Sequence, residues 1–254
     1  MFRPRVIPCL LLKNQGLVKT VRFKNPKYLG DPINIVKIFN DKEVDELVFL
    51  DITATVEGKE PPYSLLEDIV SEAFMPFGYG GGIKTLEQIR TILSLGVEKV
   101  VINTHAVENP SFIYEASQMV GSQSVVVSID VRKSIWGRHE VYTKSGHKST
   151  GLRPVDFAVQ MEKMGAGELI INSIDHDGIM KGYGIDLIKS ITCAVGIPVV
   201  ACGGAGTVQD LAQAVVQGGA SAAGAGSMFV FQGPHRAVLI SYPSNRELSR
   251  EFGE

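Results

Sequence analysis

Residues Pro198–Ser227 read PVVACGGAGTVQDLAQAVVQGGASAAGAGS, and the rest of the chain is organised around this stretch. A short apolar run ends in Gly203-Gly204, the period of an amphipathic helix follows, and a second run of small residues ends in Gly226-Ser227. Glycines at the end of a strand let backbone N–H groups approach an anion, and a helix that follows adds the positive end of its dipole. The stretch therefore predicts one phosphate cradle made from two neighbouring strand ends.

The same arrangement occurs earlier, in Pro76–Thr104, which reads PFGYGGGIKTLEQIRTILSLGVEKVVINT. The matching positions are 122 residues apart throughout: Pro76 with Pro198, Gly81-Gly82 with Gly203-Gly204, Gly96 with Gly218, Thr104 with Gly226, and Glu46-Leu47 with Glu168-Leu169. A constant offset over this length indicates a duplicated half-domain. Two anion cradles predict a ligand with a phosphate at each end.

The composition limits the class of protein. With 254 residues and a net charge of −2, the chain has enough material for a large core and no electrostatic preference for nucleic acid or membrane surfaces. Its N-terminal apolar run is too short for a signal peptide, and no run approaches the length of a membrane span. Cys9, Cys193 and Cys202 show no paired spacing. We therefore expect a cytoplasmic protein without a zinc module.

Apolar runs and helical patterns alternate along the chain. Runs typical of buried parallel strands lie at about 5–11, 46–52, 75–79, 98–102, 124–130, 168–173, 197–201 and 221–225. Between them lie stretches with a helical period, such as Tyr63–Ala73, Thr85–Leu95, Pro154–Met164 and Val208–Gln217. Eight strands with intervening helices predict an α/β protein, a (β/α)8 TIM barrel.

A doubly wound open sheet is the alternative architecture. It is disfavoured because two equivalent halves suit closure into a ring better than a sheet with edges. No linker rich in proline, glycine or serine separates the halves. We therefore predict a single domain over 1–254, built from half-barrels at about 1–122 and 123–254.

Two connections are long for this fold. Residues 131–153 alternate around Trp136–Tyr142 as a small hairpin would, and residues 12–32 carry the basic side chains Lys13, Lys19, Arg22, Lys24 and Lys27. Loops that follow strands lie on the catalytic face of such a barrel. We expect the first connection to cover a bound phosphate; the alternative is a surface excursion with solvated lysines.

The predicted strand ends supply candidate catalytic side chains, namely Leu11, Asp51, Thr104, Asp130, Ser173, Gly203 and Gly226. Asp130 ends the run VVVSID, where a carboxylate at the mouth of the barrel could act as a general acid or base. For Asp130 and Asp51 the alternative is a carboxylate that organises the backbone N–H groups of a loop.

The stretch Asp175-His176-Asp177-Gly178 has the residue types of a metal site. Alternating side chains in a loop after a strand rarely converge, however, and no second histidine partner lies nearby. We therefore predict no metal. Asp177 is predicted to be a substrate-binding or catalytic carboxylate, and Gly178 a backbone donor to phosphate.

A set of charged residues begins predicted strands 1, 2, 4 and 6, and its members are Arg5, Glu46, Lys99 and Glu168. Strand starts lie together on the N-terminal face of a barrel, where charged residues usually contribute to stability. Spacing alone therefore favours ion pairs that stabilise the protein.

Several stretches in combination resemble the cyclase subunit of imidazole glycerol phosphate synthase. They are DELVFLDITATVEG, GGGIKTLEQI, EKVVINTHAVENPS, GSQSVVVSIDVRK, the hairpin with KSTGLRP, GAGELIINSIDHDG and VVACGGAG. The similarity runs from about Arg5 to Phe229, nearly the whole chain. It implies a (β/α)8 barrel that forms a heterodimer with a separate glutaminase subunit, receives its ammonia and uses it on a bisphosphorylated ribulosyl-aminoimidazole carboxamide. It implies no cofactor.

The resemblance also implies roles for individual residues. The phosphate-binding pattern of the family matches Lys19, Gly81, Gly82 and Thr104 at one site and Asp177, Gly178, Gly203, Gly204, Gly226 and Ser227 at the other. Asn103 and Ser173 complete the predicted substrate-binding set, and Asp130 and Asp177 are the predicted catalytic residues. The ion-pair ring that controls ammonia access in the family matches Arg5, Glu46, Lys99 and Glu168.

One departure from the family pattern concerns catalysis. The family uses two aspartates as general acid and base, at the ends of strands 1 and 5, and its first strand reads roughly CLDVK where this chain reads CLLLK. Leu11 therefore replaces the first aspartate, and the loss of a general catalyst costs roughly 10²–10⁴ in rate. The ending VFQGPHRAVLISYPSN also departs from the usual final helix. This pattern resembles paralogues that serve amidino-sugar synthesis for bacterial surface polysaccharides.

Two alternatives remain open. A non-catalytic scaffold would bind a glutaminase and conduct ammonia, and a phosphosugar isomerase would use the same half-barrel plan. The isomerase also needs an acid–base pair at strands 1 and 5, so Leu11 disfavours it, and it has no need of the four N-terminal charges.

Overall fold

The computed structural model of the protein describes residues 3–134 and 136–253. Met1, Phe2, Ile135 and Glu254 lie outside the described residues, so the ends of the predicted domain and one position of the second long connection are not covered. The strands are β1 (Arg5–Lys13), β2 (Gly16–Val21), β3 (Lys24–Gly30), β4 (Leu47–Asp51), β5 (Phe77–Gly80), β6 (Lys99–Ile102), β7 (Val125–Lys133), β8 (His139–Thr143), β9 (Lys148–Ser149), β10 (Glu168–Ser173), β11 (Val199–Cys202), β12 (Ala222–Ala225), β13 (Phe231–Gln232) and β14 (Ala237–Val238).

The helices lie between the strands and after them. They are α1 (Pro32–Asp41), α2 (Ala54–Glu57), α3 (Tyr63–Glu72), α4 (Leu86–Ser94), α5 (Thr104–Glu108), α6 (Ser111–Val120), α7 (Pro154–Lys163), α8 (Ile185–Thr192), α9 (Val208–Val216), α10 (Ser227–Val230) and α11 (Asn245–Phe252), with a 3-10 turn at Ser122–Ser124. Among the described residues, no helix has the length and apolar character needed to cross a membrane.

Eight strands form a closed parallel ring in the order β1, β4, β5, β6, β7, β10, β11, β12. The ring closes because β12 pairs with β1 and β7 pairs with β10, which leaves none of the eight as a free edge. The predicted (β/α)8 barrel is therefore confirmed, and the open sheet is excluded. Parallel pairing also brings the carboxyl ends of all eight strands to one rim.

Two barrel strands are longer than their apolar runs predicted. β1 continues to Lys13 and β7 to Lys133 because each pairs with an antiparallel strand of the connection that follows it. We call β2–β3 the first excursion and β8–β9 the second excursion. The hairpin expected around Trp136–Tyr142 is confirmed by the pairing of β7 with β8.

The barrel has two apolar layers, which follow from the alternation of side chains along its strands. On β4, Leu47 and Phe49 pack outward against the helices, and Val48 belongs to a separate cluster inside the ring. The inner cluster comprises Ile7, Cys9, Val48, Val101, Val126, Ile170, Val200, Cys202 and Ala222. The lumen between the two rims is therefore lined by apolar side chains.

The two copies of the sequence repeat carry the same helix cap. Thr85 begins α4 with a capping box that includes Gln88, and Thr207 begins α9 with a capping box that includes Asp210. Each threonine hydroxyl accepts from the backbone N–H of the residue three positions on, and the side-chain oxygen of that residue accepts from the threonine N–H. These two hydrogen bonds fix the start of the helix. Each predicted helix ends one residue earlier than expected, at Glu72, Ser94, Lys163 and Val216. The duplication of half-barrels itself stays a prediction.

The chain after α10 forms a small hairpin before its last helix. β13 and β14 pair antiparallel, with Phe231 opposite Val238, and we call this pair the C-terminal hairpin. The sequence indicated that this ending departs from the usual final helix, and the C-terminal hairpin is the structural form of that departure. α11 then begins at a capping box formed by Ser244 and Glu247 and packs against α9.

Candidate active site

A cavity of about 310 Å³ opens at the rim formed by the carboxyl ends of the barrel strands. Both repeats contribute to it, since it is bounded by glycines from each. Of the predicted site residues, those that line it are Lys19, Gly81, Gly82, Asn103, Thr104, Asp130, Asp177, Gly178, Gly203, Gly204, Gly226 and Ser227. Residues from distant parts of the sequence thus share one enclosed space.

At one end of the cavity lies the second glycine group, Gly178, Gly203, Gly204, Gly226 and Ser227. Gly203 has φ +83°, and a Cβ on Gly204 would stand 2.2 Å from the carbonyl oxygen of Gly182. Only glycine allows the chain to turn this closely. The hydroxyl oxygen of Ser227 is buried without a hydrogen-bond partner among the described residues. A buried hydroxyl in this state favours a ligand that accepts from it.

At the other end lies the first glycine group, Gly81, Gly82, Asn103 and Thr104. The Tyr79 hydroxyl donates to the carbonyl of Gly81 at 3.1 Å and so fixes the turn from below. The N–H of Gly82 donates to the Thr55 hydroxyl at 3.2 Å. An anion at this end would therefore compete with the Thr55 hydroxyl for the Gly82 N–H, and the Thr55 side chain can rotate away.

Both excursions reach over the cavity. In the second excursion, the backbone N–H of Lys144 donates to the Thr104 hydroxyl at 3.0 Å, and the Ser145 hydroxyl donates to the carbonyl of Ile52 at 2.7 Å. Phe23 of the first excursion lies directly beside Gly146 of the second. The two excursions thus meet above the cavity and limit the access of water.

Three lysines that sequence reasoning did not select line the cavity: Lys59, Lys84 and Lys144. Lys59 and Lys84 lie in loops that follow barrel strands, and Lys144 belongs to the second excursion. The sequence signal for them was a basic residue after a strand end. The Lys59 ammonium pairs with Glu57 at 2.5 Å, whereas Lys84 and Lys144 are in no ion pair among the described residues. This end of the cavity is therefore suited to an anionic ligand.

Asp177 organises the first excursion. Its carboxylate accepts from the Lys19 ammonium at 2.5 Å, from the Thr20 hydroxyl at 2.8 Å and from the N–H of Phe23 at 3.3 Å. Lys19 and Asp177 are both buried and thus compensate each other. Lys19 also lies against Gly226. The structure therefore puts Lys19 beside the second glycine group and not beside the first, with which the family pattern had grouped it.

The other members of the Asp175-His176-Asp177 stretch have separate partners. The Asp175 carboxylate accepts from the N–H of Lys133 at 2.8 Å, and His176 Nδ1 is 2.7 Å from the Ser173 hydroxyl. These side chains diverge, as expected from their spacing. Ser173 is buried at the end of β10 and does not line the cavity, because its side chain lies on the opposite face of the strand from that of Asn172.

Asp51 lines the cavity but its carboxylate is occupied locally. One of its oxygens accepts from the N–H of Thr53 at 2.8 Å and from the N–H of Ala54 at 2.9 Å. This is the loop-organising alternative that the sequence left open for Asp51. The Asp51 carboxylate is thus committed to this loop.

Asp130 lies within the ring of strands near the base of the cavity and is buried. Burial raises the pKa of its carboxyl to about 7, although polar contacts with Asn172 and Ser128 act in the opposite direction. Asn172 is directly opposite Asp130 in the pairing of β7 with β10. Sequence reasoning missed Asn172 because it fixed on Ser173, one residue further along the strand.

Leu11 lines the cavity on β1, four strands around the ring from the Asp130 strand and therefore on the opposite wall. At the Leu11 position the structure thus has an apolar side chain where the resemblance implies a second proton-transfer group facing Asp130. Near the base, Cys9 and Cys202 also line the cavity. A hydrogen bond with Cys202 and burial raise the pKa of the Cys9 thiol, so it stays protonated and unreactive.

The opposite face of the barrel carries a closed ring of charges. Arg5 pairs with both Glu46 and Glu168, and the Lys99 ammonium lies 2.9 Å from a carboxylate oxygen of each of the same two glutamates. Both glutamates are buried, and each is held by two cations. The predicted clustering of these four residues is thus present in the structure, and we call it the ion-pair ring.

The fold and this arrangement define a class: a (β/α)8 barrel with a glycine-lined cavity at one rim and an ion-pair ring at the other. Residues 5–235 match the family model described as histidine biosynthesis protein, and the chain belongs to this family. The resemblance to the cyclase subunit of imidazole glycerol phosphate synthase is confirmed by the names of its relatives.

Three relatives illustrate the similarity. A Pseudomonas aeruginosa protein provisionally named imidazole glycerol phosphate synthase subunit hisF2 is 54% identical, over 98% of this chain and 99% of its own. A Vibrio vulnificus protein provisionally named subunit hisF3 of the same synthase is 50% identical over 97% of this chain and 95% of its own. An Alkaliphilus metalliredigens protein named imidazole glycerol phosphate synthase subunit HisF is 44% identical over 90% of this chain and 91% of its own.

Replacing Asp130 by asparagine tests its environment through stability. Because its pKa is raised to about 7 in the folded state, the unfolded chain releases this proton at lower pH, and ionisation costs stability between about pH 4 and pH 7. Asp130→Asn removes this cost. We expect its free energy of unfolding to gain on the wild type as pH rises from 5 to 8, by up to about 3 kcal/mol.

Denaturant unfolding at a series of pH values measures this difference. Asp41→Asn, at an exposed position in α1, is the matched control and should follow the wild type at every pH. A difference between Asp130→Asn and wild type that is the same at pH 5 and pH 8 would contradict the raised pKa.

Proposed function

We propose that the chain is the ammonia-using synthase subunit of a two-component glutamine amidotransferase. A glutaminase subunit of the type that serves imidazole glycerol phosphate synthase would form a heterodimer with it at the face of the ion-pair ring. The cavity at the opposite rim would hold a phosphorylated small-molecule substrate. The observation that carries the proposal is the alignment of three parts along one barrel: ring, apolar lumen and cavity. We place the reaction in the cytoplasm, as the cysteine usage of the sequence indicates.

The lumen favours neutral ammonia over ammonium. Between the ring and the cavity its side chains are apolar, and they include Ile7, Val48 and Val101. A bare ammonium ion would lose its hydration there without a charged partner, whereas neutral ammonia loses only hydrogen bonds. The ring of two cations and two carboxylates would then act as the gate through which ammonia enters.

The cavity suits a substrate with a phosphate at each end. At one end the orphan hydroxyl of Ser227 and the turn at Gly203-Gly204 favour an oxyanion. At the other, Lys84 and Lys144 are the lysines that can supply unpaired positive charge near Gly81-Gly82. Asp130 would be the catalytic acid or base in the middle, since a pKa of about 7 allows it to donate or accept a proton near neutral pH. Asp177 would act chiefly by holding Lys19 and the first excursion in place.

Leu11 favours a variant role within this class. A leucine on the wall opposite Asp130 removes one of the two carboxylates that the family uses for ring closure. We propose that the acceptor differs from the histidine-pathway substrate and that the subunit supplies ammonia for amidino-sugar synthesis of a surface polysaccharide. The same leucine supports a second candidate, a conduit that delivers ammonia without chemistry of its own.

Restoring the missing carboxylate tests these candidates. We expect ammonia-dependent cyclisation of the bisphosphorylated ribulosyl-aminoimidazole carboxamide to be slow in the wild type and in Leu11→Asn, and roughly 10²–10⁴ faster in Leu11→Asp. Steady-state rates with ammonium salt, without a glutaminase, are the measurement. The asparagine variant controls for polarity and size.

The outcomes separate the candidates. Wild-type turnover equal to that of a family member with aspartate at this position would overturn the variant role. No turnover in Leu11→Asp, while a glutaminase still binds, would favour the conduit over the synthase.

Breaking the ion-pair ring tests the ammonia route. Lys99→Met removes the cation that bridges Glu46 and Glu168 while it keeps the length of the side chain. In the Leu11→Asp background with a glutaminase, we expect the product formed per glutamine hydrolysed to fall several-fold. The rate with added ammonium salt should stay unchanged.

Lys42→Met, at an exposed lysine after α1, is the control and should leave both rates as they were. Equal loss with glutamine and with ammonium salt in Lys99→Met would show damage to the cavity instead and would contradict a role of the ring in ammonia transfer.

A further inference from the structure

The C-terminal hairpin contacts the rim of the cavity through one side chain. The Arg236 guanidinium donates from Nη2 to the carbonyl oxygen of Gly178 at 2.7 Å. Gly178 lines the cavity as part of the second glycine group. Arg236 does not itself line the cavity, so it can affect a ligand there only through the loop that it holds.

The same hairpin also holds the first excursion. The Lys27 ammonium, on β3, donates to the carbonyl oxygen of Arg236 at 3.0 Å. It also lies 5.1 Å from the centre of the Phe231 ring, and the Arg236 guanidinium lies 5.9 Å from the same ring. Both distances are in the range of cation–π contacts. Phe231 is buried and therefore presents a fixed ring to both cations.

Arg236 also has an unusual backbone conformation. Its φ is +51°, in the left-handed region that glycine and asparagine occupy more easily. This conformation is less favourable for arginine than for glycine, and contacts of the side chain can offset its cost. Here those contacts are the bond to Gly178 and the contact with Phe231.

Gly178 is confined on the other side by the first excursion. Its φ is +72°, and a Cβ on it would stand 2.3 Å from the carbonyl oxygen of Thr20. The backbone of β2 thus lies against one side of the Gly178 turn, while Arg236 holds its carbonyl group. The N–H of the same peptide, on Ile179, donates to the carbonyl oxygen of His176 at 3.1 Å, so the peptide next to the Gly178 N–H is held at both of its polar groups.

We propose that Arg236 is a positioning residue, and that the C-terminal hairpin is a clasp that joins the first excursion to the Gly178 turn and keeps the second glycine group arranged for an anion. The clasp consists of Lys27, Phe231, Arg236 and Gly178. The clasp itself is a property of the free protein. Its consequence for an anion rests on the proposed function.

Amide hydrogen exchange of the free protein tests the clasp. Arg236→Gly removes the side chain and also relieves the left-handed backbone, so it does not threaten the fold. We expect exchange in residues 16–30 to become about tenfold faster, as the loss of a charge-assisted bond implies. Glu43→Gly is the matched control, because Glu43 has the same φ of +51° on an exposed turn. It should leave these residues unchanged.

Binding of inorganic phosphate, followed by titration calorimetry, tests the positioning role. We expect the dissociation constant for phosphate to rise about tenfold in Arg236→Gly. In Arg236→Lys, which can still donate to Gly178, it should return most of the way to the wild-type value. A merely structural residue would not show rescue by the conservative variant together with an unchanged fold.

The outcomes are distinct. Unchanged exchange in Arg236→Gly overturns the clasp. Faster exchange with an unchanged phosphate affinity upholds the clasp and overturns the positioning role. Faster exchange in a protein whose wild type binds no phosphate upholds the clasp and overturns the anion site of the proposed function.

Discussion

Closure of the eight parallel strands into one ring is the constraint on which the rest of the structure depends. It brings every strand end to one rim and every strand start to the other. Gly81-Gly82 and Gly203-Gly204, far apart in the sequence, therefore border one cavity, and Arg5 and Lys99 meet two glutamates on the far side. An open sheet with the same strands would separate these groups along its length. The chemistry of each rim thus follows from pairing alone.

The carboxylates that line the cavity differ in role because their surroundings differ. Asp51 organises a turn, and Asp177 is neutralised by Lys19 and ties down the first excursion. Asp130 is buried and has no cation to pair with, which is why its pKa rises towards neutrality while the others serve as structural acceptors. With Leu11 on the opposite wall, Asp130 has no facing carboxylate at that position, and this favours the proposed change of acceptor.

The barrel could be predicted because its strands are apolar runs and its halves repeat, and the predicted helix ends were one residue off. The parts that were not predictable depend on contacts distant in sequence or on strand parity. Asn172 and Ser173 are neighbours on β10, so their side chains lie on opposite faces of the strand. To choose between them, the end of the strand must be known to within one residue, which the sequence does not allow. Lys19 meets Asp177 only because the first excursion folds back over the rim. Thr104 was expected at a strand end but begins the short helix α5.

The proposed function requires the two glycine groups to hold the two ends of one doubly anionic molecule. A crystal structure with inorganic phosphate at saturating concentration tests it most directly. We expect two phosphates at opposite ends of the cavity, one at Gly81-Gly82 and one at Gly203-Gly204 within reach of the Ser227 hydroxyl. Phosphate at only one of these pairs, or at neither, would contradict it.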